Sequence, residues 1–308
     1  MNISINYESN IAAFTNLWDD FLPETHHLKQ RHLLPLEKAQ LPDIENYYLQ
    51  IFLKNKLIGL ACLQLFKLNH AHLNASNPQT FKSRLVKFFL PKSPQLLICG
   101  NLFRINFQGF YFKNEQHNAF IFDAVELFTR QHKKLNSCGI IIKDCKEVFL
   151  EEQYAALKYN FFNADVTMEI TRRPHWVTFN DYLNDLTKKY HKRAKKIIQA
   201  FTTVVTKELN AEEILKNTAE LNRLYLNVVN KQKIKLGIVN AAYLYELKLD
   251  LDEHFELHAL YVNNIMIGFY TYIFYSNEME THYIGLDYRY NETHKTYFNI
   301  LFLSVQKM

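Results

Sequence analysis

The chain has 308 residues, of which 48% are hydrophobic and 22% charged, and its formal net charge at pH 7 is +5. This length and this apolar share exclude a disordered chain and leave room for two packed domains. Because only seven Gly and seven Pro accompany 24 Phe and 19 Tyr, a loop-dominated scaffold is also excluded and an aromatic-rich core is expected.

The N-terminus carries Glu8 and no apolar signal-peptide region, and no run approaches about 18 uninterrupted apolar residues. We therefore expect neither export nor a transmembrane segment, and we expect a cytoplasmic location.

The four cysteines, Cys62, Cys99, Cys138 and Cys145, form no C-x-x-C pair and have no histidines at zinc-finger spacing. They are expected to be buried, reduced thiols.

The first predicted element is a β-hairpin over residues 47–66, two apolar runs joined by Lys54-Asn55-Lys56. A polar stretch with several prolines follows from Asn69 to Gln95 and predicts a surface excursion with a short helix over 81–89. The segment GFYFKNEQH, residues 109–117, then leads into a helix over 120–135. Further on, the sequence predicts a strand at GIIIKDC, a helix over 146–159 and a strand over 161–172.

In the middle of the chain, Thr178 and Asp181 form a capping box that opens a predicted amphipathic helix. Its apolar stripe consists of Leu183, Leu186, Tyr190, Ala194, Ile197 and Phe201. After a short strand over 203–206, Asn210 is predicted to cap a helix that reaches about Asn230, and another helix covers 241–254.

The last part of the chain repeats the pattern of the first. Residues 256–275 predict a second hairpin, with an Asn263-Asn264 turn and an Ile267-Gly268 pair that matches Ile58-Gly59. GLDYRYNETH, residues 285–294, resembles GFYFKNEQH and leads into a helix over 297–308. Two matches in the same order indicate a duplicated unit. Met308 aligns near Gln131, so the second copy is expected to be incomplete at its C-terminus.

This repeated unit, with the basic helix TFNDYLNDLTKKYHKRAKKI between the copies, resembles the tandem GNAT-fold acyltransferases. Within them it is most similar to the bacterial proteins grouped with the Fem peptidoglycan-bridge aminoacyltransferases. The pattern that suggests this subgroup is formed by Tyr182, Leu183, Leu186, Lys189, Arg193 and Lys196. The resemblance covers about residues 45–308. It implies an α/β fold of two GNAT-like domains, 1–173 and 174–308, each a mixed, mostly antiparallel sheet flanked by helices.

The resemblance also implies transfer of an acyl group from acyl-CoA or aminoacyl-tRNA, as co-substrate, to an amine. The acceptor would be a small molecule or a cell-wall precursor, and no permanently bound cofactor is expected. The loop GLDYRYNETH departs from the usual GNAT pattern because it has one Gly and no Q/R-x-x-G-x-G/A run. The alternative is a catalytically degenerate pair that binds a partner or an anionic ligand.

Three residues near the predicted cleft could act in catalysis. Strand periodicity puts Tyr283, Gly285 and Asp287 on one face and His282, Ile284 and Leu286 on the other. Asp287 could accept an amine proton, and Tyr283 or Tyr288 could donate one to the leaving group. The alternative is that Asp287 makes a turn or caps the next helix while Tyr288 packs.

A second set of residues could bind the donor. It comprises Gly285, Asn291, Lys192, Arg193 and Lys196. Asn291 and Asn114 could instead be helix N-caps. Six cations lie between residues 188 and 196, and they could hold phosphates of tRNA, coenzyme A or a lipid-linked precursor, or simply form a solvated surface. No metal cluster, P-loop or dinucleotide fingerprint supports a hydrolase or an oxidoreductase.

Overall fold

The computed structural model describes residues 3–68, 94–132, 135, 137–145, 159–160, 167–232, 237–275 and 277–308. The chain divides into two compact units. Unit 1 consists of Met1–Val166 and Lys233–Val239, and unit 2 of Thr167–Gln232 and Asn240–Met308. Among the described residues, none of the helices combines the length and the apolar character that crossing a membrane requires.

Unit 1 is a six-stranded sheet with helices packed on it. Its elements are β1 (Ile3–Glu8), α1 (Asn16–Phe21), α2 (Gln30–Lys38), β2 (Ile44–Leu53), β3 (Lys56–Lys67), β4 (Gln95–Cys99), β5 (Phe110–Phe112), α3 (Phe120–Gln131) and β6 (Ser137–Ile142). The strands follow the order β1-β2-β3-β4-β6, with β5 also paired to β3. All neighbours are antiparallel except β4 and β6, which are parallel.

The hairpin of unit 1 turns at Lys54 and Asn55, whose φ angles of 50° and 65° are left-handed. Two successive left-handed residues match the twist of antiparallel strands, and Asn tolerates this conformation. The predicted hairpin over 47–66 is confirmed, with β2 and β3 paired from Ile44 to Phe66.

Unit 2 is built on a four-stranded antiparallel sheet in the order β10-β9-β8-β7. Its elements are α4 (Phe179–Asp185), α5 (Lys188–Gln199), β7 (Val205–Glu208), α6 (Ala211–Lys216), α7 (Thr218–Val229), α8 (Ala241–Leu251), β8 (Phe255–Val262), β9 (Ile265–Phe274), β10 (Met279–Leu286), α9 (Tyr288–His294) and α10 (Thr296–Lys307). The predicted second hairpin is confirmed, because Asn263 and Asn264 have φ angles of 48° and 64° between paired β8 and β9.

Helices cover both faces of this sheet. On one face, Tyr283 contacts the rings of Tyr225 in α7 and Tyr243 in α8. On the other face, Ile300 of α10 joins a buried cluster with Leu260 and Tyr272. With a mixed sheet in unit 1, an antiparallel sheet in unit 2 and helices against each, the predicted α/β fold class is confirmed.

The two units pair their strands in the same register. Gly59 lies opposite Phe112 and Leu63 opposite Cys99 in unit 1, while Gly268 lies opposite Leu286 and Tyr272 opposite Thr281 in unit 2. The strand position paired with β3 in unit 1, and with β9 in unit 2, is therefore interrupted at the same place. Residues 100–109 fill the interruption in unit 1, and 282–283 fill it in unit 2.

This register shifts the sequence match between the units. Ala61 pairs with Phe110, and Tyr270, two residues beyond Gly268 as Ala61 is beyond Gly59, pairs with Ile284. The similarity of the two loop sequences aligns Gly285 with Gly109. The strand register instead makes Gly285 correspond to Tyr111.

The single amphipathic helix predicted after Thr178 is wrong. Thr178 does form the capping box with Asp181, but α4 ends at Asp185. Leu186 and Thr187 have extended ψ angles of 144° and 153°, and α5 begins after them. As a result the predicted apolar stripe is interrupted, and the side chain of Tyr190 is 53% exposed.

Two further predictions differ from the structure. Asn210 caps a helix through Glu213, but that helix ends at Lys216, and α7 starts after Asn217. Of the strand predicted over 161–172, residues 167–172 are in neither a helix nor a strand. The predicted helices over 81–89 and 146–159 lie outside the described residues, apart from Tyr159, which is in no regular element.

The described cysteines Cys62, Cys99 and Cys145 are free thiols. Burial raises the pKa of Cys62 and of Cys145 to about 12. Such thiols stay protonated at neutral pH and are poor nucleophiles.

Candidate functional site

Strand β10 carries a β-bulge at His282 and Tyr283, where the pairing with β9 shifts between Thr281 and Ile284. A bulge places two consecutive residues opposite one position of the neighbouring strand. Both rings therefore lie on the face that α7 and α8 cover, with their centroids 4.1 Å apart and Tyr243 within 6.4 Å of each. The predicted separation of His282 from Tyr283 onto opposite faces is wrong for this reason.

A buried acid–base pair joins the bulge residue His282 to Glu280, two residues earlier on β10. His282 Nδ1 lies 3.2 Å from Glu280 Oε1, and the two side chains are only 1% and 8% exposed. The Tyr275 hydroxyl donates to the other carboxylate oxygen of Glu280 at 3.3 Å. At the same bulge, the Tyr283 amide donates to the Thr271 hydroxyl at 2.7 Å. This bond ties the bulged backbone of β10 to the neighbouring strand β9.

Asp287 follows β10 and anchors two arginines. Its carboxylate accepts from Arg289 Nε at 3.0 Å and Arg289 Nη2 at 2.6 Å, and from Arg223 Nη1 at 3.3 Å. It also caps α9 by accepting from the Arg289 amide, and only 4% of its side chain is exposed. The structure therefore has Asp287 in the helix-capping arrangement that the sequence left open as the alternative.

The hydrogen bonds from Arg289 lower the pKa of Asp287 to about 2, and the charge of Arg223 acts in the same direction. A carboxylate with so low a pKa accepts protons weakly at neutral pH. Asp287 is thus suited to positioning the guanidinium groups. Arg289 is 77% and Arg223 40% exposed at the side chain, so both offer N–H donors to a ligand from solvent.

A third cation lies at this end of β10. Lys231 Nζ is 3.2 Å from the ring centroid of Tyr288, the first residue of α9. Burial raises the pKa of the Tyr288 phenol, so it remains protonated at neutral pH. Together with Arg223 and Arg289, Lys231 gives this site three cations against two carboxylates, Asp287 and Glu220, and a net positive charge.

Gly285 and Asn291 have structural contacts. A Cβ on Gly285 would lie 2.1 Å from Phe269 Cε1 and 2.9 Å from Leu224 Cβ, so this position admits no side chain without repacking. Asn291 lies inside α9 and is not an N-cap, contrary to the prediction. Its Oδ1 instead accepts from the Tyr297 amide of α10 at 2.9 Å. Asn114 does act as an N-cap, but of the short helix Glu115–His117. The helix that begins at Phe120, which Asn114 was predicted to cap, has Ala119 at its N-cap position instead.

The predicted phosphate-binding residues Lys192, Arg193 and Lys196 lie on the exposed face of α5. Within the part of the chain that the structure describes, no hydrogen bond or ion pair joins them to Asp287 or its arginines. The structure thus separates the predicted site into two groups on different elements. One group lies in β10 or directly after it and consists of Tyr283, Gly285, Asp287 and Tyr288. The other group, the three cations, lies in α5.

Sequence reasoning missed Arg223, Glu280 and Lys231 as members of the site. Arg223 reaches Asp287 across 64 residues of chain, and no local pattern signals such a contact. Glu280 had a weak signal, because it lies two residues before His282 on the same strand.

A second polar cluster lies on β7 and β8. Glu208, Glu256 and His258 offer ligand atoms within 4.8 Å of one another. Lys307 Nζ lies 2.8 Å from Glu256, and Lys248 Nζ lies 3.6 Å from Glu208. Each carboxylate therefore has a lysine partner, and the cluster is charge-balanced without a metal ion.

No family model and no curated protein matches the chain. Among solved structures it is similar to FemX, with 10% identity and a TM-score of 0.44, over 89% of this chain and 84% of that one. A conserved protein of unknown function from Bacteroides thetaiotaomicron VPI-5482 has 12% identity and a TM-score of 0.46, over 97% and 87% of the two chains. A ribosomal-protein-alanine N-acetyltransferase from Brucella melitensis biovar Abortus 2308 has 9% identity and a TM-score of 0.29, over 56% of this chain and 100% of that one.

Proposed function

We propose that the protein is an N-acyltransferase with its site at the end of β10 in unit 2. The donor is an acyl-CoA or an aminoacyl-tRNA, and the acceptor is the amine of a small molecule or of a cell-wall precursor. The observation that carries the proposal is the pair of solvent-accessible guanidinium groups, Arg223 and Arg289, fixed by buried Asp287. The similarity of the sequence to tandem GNAT-fold acyltransferases adds to it.

Both donors are anionic, and the arginine pair fits their phosphates. Guanidinium groups bind phosphate oxygens through two parallel N–H bonds, and a fixed orientation lowers the entropy lost on binding. Asp287 holds Arg289 through two hydrogen bonds and Arg223 through one, and Glu220 holds Arg223 through two more, so both guanidinium groups are oriented. Lys231, on the ring of Tyr288, adds positive charge beside the pair.

The reaction joins the amine nitrogen to the donor carbonyl carbon and breaks the bond from that carbon to sulfur or oxygen. The amine releases one proton and the leaving group takes up one. Tyr283, a partly exposed residue of the bulge, is the proposed proton donor to the leaving group. His282 packs against its ring and is itself held by Glu280. The proton of the amine passes to solvent, since Asp287 is too weak a base.

Donor binding tests this proposal. We would titrate the full chain with acetyl-CoA and with aminoacyl-tRNA by calorimetry and compare Arg223→Met and Arg289→Met with the wild type. Charge-assisted hydrogen bonds contribute about 1.5 to 3 kcal/mol, so each variant should bind at least about tenfold more weakly. Arg130→Met is the matched control, because Arg130 is also exposed and bonded to a carboxylate but lies in unit 1. Equal affinity in all four proteins would remove the arginines from the site.

The second candidate is a catalytically degenerate protein that binds an anionic ligand without transferring it. The hydrogen bonds of Asp287 favour this candidate, because the residue predicted to act as general base is already bonded to two arginines. Binding of a donor that depends on Arg289, with no acyl transfer to any amine, would support this candidate over the enzyme.

A further inference from the structure

Helix α5 carries a dense set of positive charges with no acidic residue among them. Its sequence is KKYHKRAKKIIQ. The exposed cations are Lys188, Lys189, Lys192, Arg193, Lys195 and Lys196. Within the described residues none of the six has a carboxylate partner, whereas Arg130, Arg173 and Lys207 elsewhere in the chain do.

The charges form two rows along the helix. Lys188, Lys192 and Lys195 make one row, and Lys189, Arg193 and Lys196 make the other, since residues three or four apart are neighbours on a helix surface. Like charges at this spacing destabilise a helix. The helix persists because Ala194 and Ile197 are buried and because Asn299 of α10 donates to the Ile197 carbonyl at 2.9 Å. An external polyanion would remove the repulsion.

Exposed aromatic rings flank one of these rows. The Arg193 guanidinium lies 5.1 Å from the ring centroid of Phe298, and Lys189 Nζ lies 6.0 Å from that of Tyr190. Tyr190, Tyr297 and Phe298 are 53%, 37% and 40% exposed. Protein surfaces that lie at the headgroup level of a bilayer are rich in aromatic residues and lysines.

We propose that this basic-aromatic surface, the six cations of α5 with Tyr190, Tyr297 and Phe298, docks on an anionic lipid bilayer. Five of the six cations are lysines, whose compact charge suits the diffuse field of a lipid surface better than paired recognition of individual phosphates. The outer side of a helix is convex, whereas a single-stranded nucleic acid is held in a groove that tracks its backbone. The apolar side of α5 packs against the protein, so the helix lies on the headgroups without inserting.

Vesicle co-sedimentation of the full chain tests the proposal. One set of vesicles is phosphatidylcholine alone, and the other contains about a quarter phosphatidylglycerol. The protein should pellet with the anionic vesicles in dilute buffer and be released by about 0.5 M NaCl, which shortens the screening length to a few ångströms. Lys188→Gln, Lys192→Gln and Lys195→Gln together should weaken partitioning at least about tenfold, because each cation near such a surface contributes about a factor of five.

A control variant removes equal charge elsewhere. Lys54→Asn, Lys56→Gln and Lys216→Gln change three exposed lysines that are not part of α5 and should leave partitioning unchanged. The proposal is overturned if the two triple variants behave alike while circular dichroism shows both folded, or if wild-type protein ignores anionic vesicles. It is also overturned if a 20-nucleotide oligouridylate displaces the protein from vesicles at equal phosphate concentration, which would assign the surface to nucleic acid.

Discussion

His282 and Tyr283 are consecutive residues of a β-strand, yet their rings lie on the same face of the sheet with centroids 4.1 Å apart. The bulge between Thr281 and Ile284 causes this arrangement. In a regular strand the two side chains would lie on opposite faces. Here the His282 ring contacts the Tyr283 ring, and Glu280 holds His282.

The Glu280–His282 pair should be energetically coupled. In a double-mutant cycle of Glu280→Gln and His282→Ala, we expect an interaction free energy of about 1 kcal/mol or more, because both side chains are buried. The control cycle is Glu253→Gln with His254→Ala, an exposed pair 3.9 Å apart that should give nearly zero. Urea unfolding measures both, and equal coupling in the two cycles would contradict the arrangement at the bulge.

Asp287 should make stability depend on pH in the acid range. Its pKa in the folded chain is about 2, below the ordinary value of 3.8, so its stabilising contribution is complete above about pH 4 and is lost as pH falls through about 2. At neutral pH Asp287→Asn should lower the free energy of unfolding by about 1 to 2 kcal/mol. The loss stays small because both arginines are exposed to solvent.

The test compares the free energy of unfolding of wild type and Asp287→Asn at pH 7 and near pH 2.5. The difference between them should shrink at the lower pH. Asp20→Asn, at an exposed position, provides the baseline. A difference that stays constant with pH would show that Asp287 is not held by its arginines.

Gly285→Ala should destabilise unit 2. The new Cβ would overlap the Phe269 ring at 2.1 Å, and overpacking of this kind costs about 1 to 3 kcal/mol. Gly139→Ala is the comparison, because its Cβ would meet only the end of the Leu96 side chain at 3.2 Å. Thermal unfolding should show a larger loss for Gly285→Ala, and the reverse order would refute the packing described around β10.

Asn291→Ala should weaken the start of α10. The Tyr297 amide would lose its acceptor, and loss of such a capping bond costs about 1 kcal/mol. Glu292→Ala, at the adjacent exposed position, should change little. Amide hydrogen exchange at Tyr297 reports the effect directly, and unchanged protection in Asn291→Ala would count against the bond.

The parts of the fold that the sequence predicted are those with local signals. Asn263-Asn264 supplies two left-handed residues for a hairpin, and Thr178 with Asp181 supplies both bonds of a capping box. The break between α4 and α5 had no such signal, because Leu183 and Leu186 continue the helical period across it and neither Gly nor Pro marks it.

The site was harder to predict because its contacts are long-range. The bulge leaves the alternation of residue types around His282 unchanged, so the sequence gives no sign of the shift. The role of Asp287 depends on Arg223, which lies in α7, 64 residues earlier in the chain. A carboxylate near a cleft suggests a base, and only its partners show that it serves as an anchor.

Acyl transfer itself tests the central proposal most directly. The full chain would be incubated with radiolabelled acetyl-CoA or aminoacyl-tRNA and with lysine or a lysine-containing cell-wall peptide, and label in the amine product would be counted. We expect label to move from one of the donors, with Tyr283→Phe slower by about a hundredfold as for loss of a general acid and Arg289→Met impaired through donor binding. Folded wild-type protein that neither binds nor transfers from either donor class would contradict the proposed function.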